Sequence, residues 1–154
     1  MLFRSIAGEG ESSRLYQSLV YRQQIAQDVS ADADLRENTG LFAVTATLAS
    51  GKTVAQVEKA LRAEMKKLTE TKVTPTELEK AKNMVITAAL RRGETTLGKG
   101  SALRDAIIYQ HDASYANRRL ERLQAVTAAD VQRVAKKILS TKPVVVTYTS
   151  GGSK

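Results

Sequence analysis

Gly8-Glu9-Gly10-Glu11-Ser12-Ser13-Arg14-Leu15-Tyr16 turns the chain into a short helix, and Ile25-Ala26-Gln27-Asp28-Val29-Ser30-Ala31 then turns it into a strand. In the first stretch the glycines mark a turn. Ser12 or Ser13 is the expected N-cap, and Leu15, Leu19 and Val20 form the apolar side. At Ile25 the spacing of apolar residues changes from helical to alternating. After the polar stretch Asp32 to Asn38, Leu41 to Ala49 alternates again, and the two runs predict an antiparallel pair. On the other side, Met1-Leu2-Phe3-Arg4-Ser5-Ile6-Ala7 reads as the end of an amphipathic helix that has been cut into, so the chain is expected to be a fragment of a longer one.

From Thr53 the pattern is helical for almost ninety residues. Thr53-x-x-Gln56 is a capping box, followed by Val54, Val57, Leu61, Met65 and Leu68 at helical spacing. Thr74-Pro75-Thr76-Glu77 opens the next helix, with Pro at the first position, where its missing donor costs nothing. That helix carries Leu78, Ala81, Val85 and Ala88. Gly93 to Gly100 reads as a joint, Ser101 to Gln110 and Ser114 to Val126 as further helical segments, and Thr127 to Asp130 as the cap of a last helix bearing Val131, Val134, Ile138 and Leu139. Val144 to Tyr148 is β-branched and apolar and predicts a strand. The expectation is an α+β fold in β-β-α(4-5)-β order, with helices packed on one face of a small, mainly antiparallel sheet. Three strands are few for so many helices, which predicts a further strand upstream of Met1 or from a partner. Residues 1–150 are read as a single domain and 151–154 as a disordered tail.

Composition narrows the chemistry. The chain has 154 residues, 42% hydrophobic and 26% charged, with no cysteine and no tryptophan. Disulfides, thiolate metal sites and thiol nucleophiles are therefore excluded in this chain. No apolar run approaches the ~18 residues that span a bilayer. The net charge of +8 raises the question of nucleic acid. Lys and Arg are, however, interleaved with acids, as in Glu58-Lys59, Glu64-Met65-Lys66-Lys67 and Arg118 to Arg122, the pattern of a solvated helix face, so no nucleic-acid partner is expected.

Two stretches come close to phosphate loops. Ala46-Thr47-Leu48-Ala49-Ser50-Gly51-Lys52-Thr53 begins with Ala where the bend needs Gly, and its first half continues a strand; Gly93 to Gly100 follows a helix and lacks the magnesium-binding hydroxyl. His111 is the only histidine, so a zinc site of two or three His ligands cannot be built here. Serine-type catalysis would need His111 as base, and no nucleophile elbow accompanies it. Glu9, Glu11, Asp28 and Asp32 read as turn or loop acids.

The larger pattern carries a resemblance. Gly8 to Tyr16 followed by Leu19-Val20, Ala26 and Val29-Ser30-Ala31 resembles the glycine-serine turn, Ser-Arg-Leu helix start and following strand of the C-terminal domain of pitrilysin/insulinase-type metallopeptidases. Thr74 to Lys82 is similar to that family's Thr-x-x-Glu-Leu-x-x-Ala-Lys helix start, and Leu123 to Ala135 to its closing Val-Thr-x-x-Asp-Val helix. The resemblance implies an inverted-zincin fold of the LuxS and mitochondrial-processing-peptidase kind. It also implies a zinc-free half that pairs with a zinc-bearing N-terminal half, or partner subunit, carrying His-x-x-Glu-His. The two halves would enclose a chamber in which a peptide substrate is cut.

Many zinc-free halves place an Arg and, seven residues later, a Tyr next to the substrate; overlaying the motifs puts Val20 and Gln27 at those substrate-chamber positions. No catalytic and no metal-binding residue is then expected in this chain. Its cofactor, zinc, is expected in the partner, and a homodimer is among the arrangements open to it. The parent would be a bacterial zinc metalloendopeptidase and this chain alone inactive; the alternative is a structural or assembly subunit of the same fold without proteolysis. For the compartment the expectation is periplasm ahead of cytoplasm.

Overall fold

The alternating runs do form one ladder. In the computed structural model, which describes residues 2–36 and 39–149, β1 (Ala26–Leu35) pairs antiparallel with β2 (Gly40–Leu48). β1 continues through the polar residues because the alternation continues: Ala31 and Ala33 face inward while Asp32 and Asp34 face out. Opposite them, Phe42, Val44 and Ala46 complete the inner face. Ala26 pairs with Leu48 and Asp28 with Thr47, so Gln27 is the extra residue of a β-bulge.

All helices lie against the inner face or against one another. α1 (Leu2–Gly8) is buried nearly all round; Phe3 stacks on Phe42 with ring centroids 5.0 Å apart. Gly8 closes α1 directly on β1. A Cβ there would sit 2.7 Å from both the backbone N and the Cβ of Ala31, so only glycine fits. α2 (Arg14–Tyr16) runs into a π-helical segment, Gln17–Arg22; Leu15 of the first and Leu19 of the second are completely buried.

Five helices follow: α3 (Val54–Glu70), α4 (Pro75–Gly93), α5 (Thr96–Gln110), α6 (Tyr115–Gln124) and α7 (Ala128–Leu139). Thr53, Thr74 and Thr127 each form the expected capping box, with Gln56, Glu77 and Asp130. From α7, Gln132 Nε2 donates to the carbonyls of Thr69 and Glu70, satisfying the end of α3. Lys82 Nζ does the same for Gln124 O at the end of α6.

The α+β class and the one-faced sheet are as expected, with two differences. Val144 to Tyr148 makes no ladder among the described residues, and its side chains are open to solvent, Val144 at 90% and Tyr148 at 92%. Its β propensity is real, but a strand is defined by a partner, and none faces it among the described residues. The joint at Gly93 to Gly100 is far shorter than expected, since α5 already begins at Thr96. Thr95 caps it, and Gly98 packs so closely on Arg92 O that a Cβ would lie 1.7 Å away. The tail 151–154 lies outside the described residues.

The two glycines of α5 should therefore respond in opposite directions. Gly98→Ala is expected to cost about 2–3 kcal/mol through the clash with Arg92 O. Gly100→Ala, with nothing within 4 Å of the new methyl, should gain about 0.5–1 kcal/mol from helix propensity. Urea unfolding of the two variants checks both signs.

Candidate functional site

The region that carries Val20 and Gln27, the positions the resemblance singled out, is built from two irregularities in succession, the π-helical segment and the bulge. Both are costly departures from regular structure, found disproportionately where a protein re-aims side chains. The segment is anchored at its start by Arg14. Its Nε and Nη2 donate to Glu77 Oε1 and Oε2 at 2.7 and 2.8 Å, a bidentate pair that joins α2 to the first turn of α4. Glu77 also accepts from Thr74 N at 2.8 Å in its capping box. The Arg14 hydrogen bonds, against a smaller opposing effect of burial and with help from Thr74, hold the Glu77 carboxyl down to about 2. The same pair raises the guanidinium of Arg14.

In the middle of the segment Ser18 is buried and donates to Glu64 Oε1 of α3 at 2.7 Å. Lys67 Nζ reaches the same oxygen at 2.8 Å, and Gln23 Nε2 donates to Ser18 Oγ at 2.9 Å. Burial pushes the Glu64 carboxyl up, but the hydrogen bonds from Lys67 and Ser18 and the charges of Lys67 and Arg22 outweigh it, leaving it below its ordinary value. At its end, Gln24 adopts φ +50°, in the left-handed region, and Ile25 N bonds back to Leu19 O at 3.0 Å. The chain then enters β1, and Ala49 N donates to Ile25 O.

Val20 and Gln27 end up in different settings. Val20 is half-buried and packs against the core, while Gln27 is exposed at the bulge beside Asp28. An exposed amide on a bulge can donate or accept a hydrogen bond; a half-buried valine can only pack. Sequence reading missed Glu64, grouped above with a solvated face. Its signal was position, because 57, 61, 64, 65 and 68 share one side of α3 and four of the five are apolar.

The other candidates fall to structural roles. Ser50-Gly51 is the turn between β2 and α3, with Gly51 at φ +74°, and the Thr53 hydroxyl accepts from Gln56 N as a cap. His111 is exposed and ends α5 in the left-handed conformation, its N–H bonding to Ile107 O. No group of three or more His, Cys, Asp or Glu is placed to hold a metal ion among the described residues, so a zinc does not fit here. No helix among them is long and apolar enough to cross a membrane.

The sequence model of the family described as the peptidase M16 inactive domain matches residues 1–85, more than half of the 154. This chain belongs to that family. The match includes α1, the π-helical segment, the bulge and the start of α4. Mitochondrial-processing peptidase subunit alpha-2 of Dictyostelium discoideum is 27% identical over 143 residues, covering 93% of this chain and 31% of its own length. The chain thus spans about a third of that relative. Among solved structures, a protein assigned as a zinc protease in Bordetella pertussis Tohama I superposes with a TM-score of 0.77 at 28% identity, over 87% of this chain and 72% of the other. The inactive peptidase domain of a Bordetella parapertussis protein, assigned likewise as a zinc protease, gives 0.76 at 27% identity and the same coverage. In this M16 inactive domain, the Arg14–Glu77 pair and the Ser18–Glu64 tie hold the segment at its start and middle.

Because Glu77 is depressed in the folded state, its contribution to stability is complete above its ordinary value of 4.5 and is lost as pH falls towards about 2. Denaturation curves collected across that window should show the wild type losing stability. Glu77→Gln should be weaker at neutral pH by about 1–2 kcal/mol and flatter in the acid range. Separately, Gln24→Gly should raise stability by about 1 kcal/mol by relieving the left-handed residue, measurable as a higher thermal midpoint.

Proposed function

We propose that this domain is the non-catalytic half of a zinc metalloendopeptidase, closing a proteolytic chamber over peptide substrates that are cut at a zinc site in another domain or subunit. Membership in the inactive-domain family carries the reading. Two further observations support it. The related Dictyostelium protein is itself one subunit of a peptidase by its name, and the Bordetella parapertussis structure is named as the inactive domain of a protease. The partner in this reading is a half bearing His-x-x-Glu-His.

Within that chamber the chain's own contribution is shape. Val20 offers no group to a substrate carbonyl, and its half-buried side chain supports the π-helical segment. Gln27, exposed on the bulge, supplies one neutral amide to a peptide backbone. Neither is charged, and a developing negative charge is stabilised chiefly by aimed donors and cations. The domain therefore acts on the substrate by enclosing it.

A quenched fluorescent peptide tests this. The chain with added zinc should leave it intact. Combined with a half bearing His-x-x-Glu-His it should permit cleavage, and withholding the domain should slow cleavage by about 10²-fold, the scale of a lost positioning element. Unchanged cleavage without the domain sinks the proposal. Gln27→Ala should alter the rate little, whereas a loss of about 10²-fold would assign Gln27 a direct hold on the reacting carbonyl.

A further inference from the structure

Along the exposed side of α4 the surface opens into a groove of about 1170 Å³. Its floor is apolar, formed by Met84, Val85 and Ala88, with Met84 more exposed than a methionine of the core. Its rim is basic. Lys80 lies near the start of the helix and Arg91 and Arg92 in its last turn, and none of these three side chains has a hydrogen-bond or ion-pair partner among the described residues. The acids that line the groove are already engaged: Glu9 accepts from Arg4 and Ser5, and Glu79 lies 3.6 Å from Lys82. The groove therefore presents uncompensated positive charge around an apolar strip.

The spacing defines what fits. From Lys80 to Arg91 is about 16 Å along a helix rising 1.5 Å per residue. An extended peptide covers that distance in about five residues. We infer that this groove docks an acidic peptide segment of another polypeptide, with two carboxylates about five residues apart and apolar side chains between them resting on Met84, Val85 and Ala88. A second copy of the chain is a poor occupant, since it brings a net +8 to a basic surface. Single-stranded nucleic acid fits less well, because no aromatic side chain lines the groove for a base to stack on.

The test is fluorescence anisotropy of a labelled decapeptide with two aspartates five positions apart and leucine and valine between them, titrated with the whole chain. Saturable binding is expected, weakening as added salt screens the rim. Lys80→Glu/Arg91→Glu/Arg92→Glu should weaken it at least about tenfold, and Met84→Ser about threefold, with the circular dichroism spectrum unchanged. If the triple reversal perturbs folding, the milder Lys80→Gln/Arg92→Gln pair should still weaken binding several-fold. The same peptide with lysines in place of aspartates should not bind. Binding that survives the charge changes, no binding of the acidic peptide at low salt, or tighter binding of an oligo-dT probe that these variants abolish would each overturn the inference. So would concentration-dependent dimerisation in sedimentation that the triple variant removes.

Discussion

Residue 8 has no side chain, and that lets the end of α1 rest on the backbone of β1 at Ala31. A two-stranded sheet has one face to bury, and an isolated hairpin is marginal in water. α1 covers that face over Ala31 and Phe42, and α3 and α7 close the core around Val57, Leu68, Val131 and Ala135. A methyl group at position 8 would push α1 away from the strand and open this core along its length. The Arg14–Glu77 pair works on the same problem from the other side, since it fixes where α4 begins relative to the turn that follows α1. Beyond the pH-dependent stability that Glu77 contributes, the pair sets registry, which helix start meets which turn.

The legible parts of the fold are those in which local chemistry and tertiary structure agree. Thr53, Thr74 and Thr127 cap because a hydroxyl at the N-cap and a Gln, Glu or Asp three residues on satisfy each other's donors locally. The hairpin is legible because one face is buried, which makes the alternation strict. Asp32 and Asp34 obscured the length of β1, since aspartate is rare in strands, yet it is tolerated on a solvated face. Gly98 could not be read as a point of contact, because a close approach to a carbonyl six residues earlier depends on a helix corner that no periodicity records. Val144 to Tyr148 shows the converse, strong propensity with no partner among the described residues.

The candidate site was legible only through resemblance. The Leu15 to Leu19 spacing fits an ordinary α-helix, and nothing in it announces a widened turn. The tie that supports it joins Ser18 to Glu64 across forty-six residues of sequence. Glu64 sits in a run of charges and reads as solvated, while its place among apolar neighbours on α3 decides that it is buried. Gln27 has no signal of its own; the bulge that exposes it is a property of the pairing between two strands.

The unpaired Val144 to Tyr148 run bears on the colloidal behaviour of the domain. Five successive residues of high β propensity and no charge, with no ladder partner among the described residues, form a template on which identical chains can stack. Lys142 and Pro143 stand immediately before it, a like charge that repels its copies and a ring that cannot join a ladder. These two residues, together with the net charge of +8, oppose such stacking.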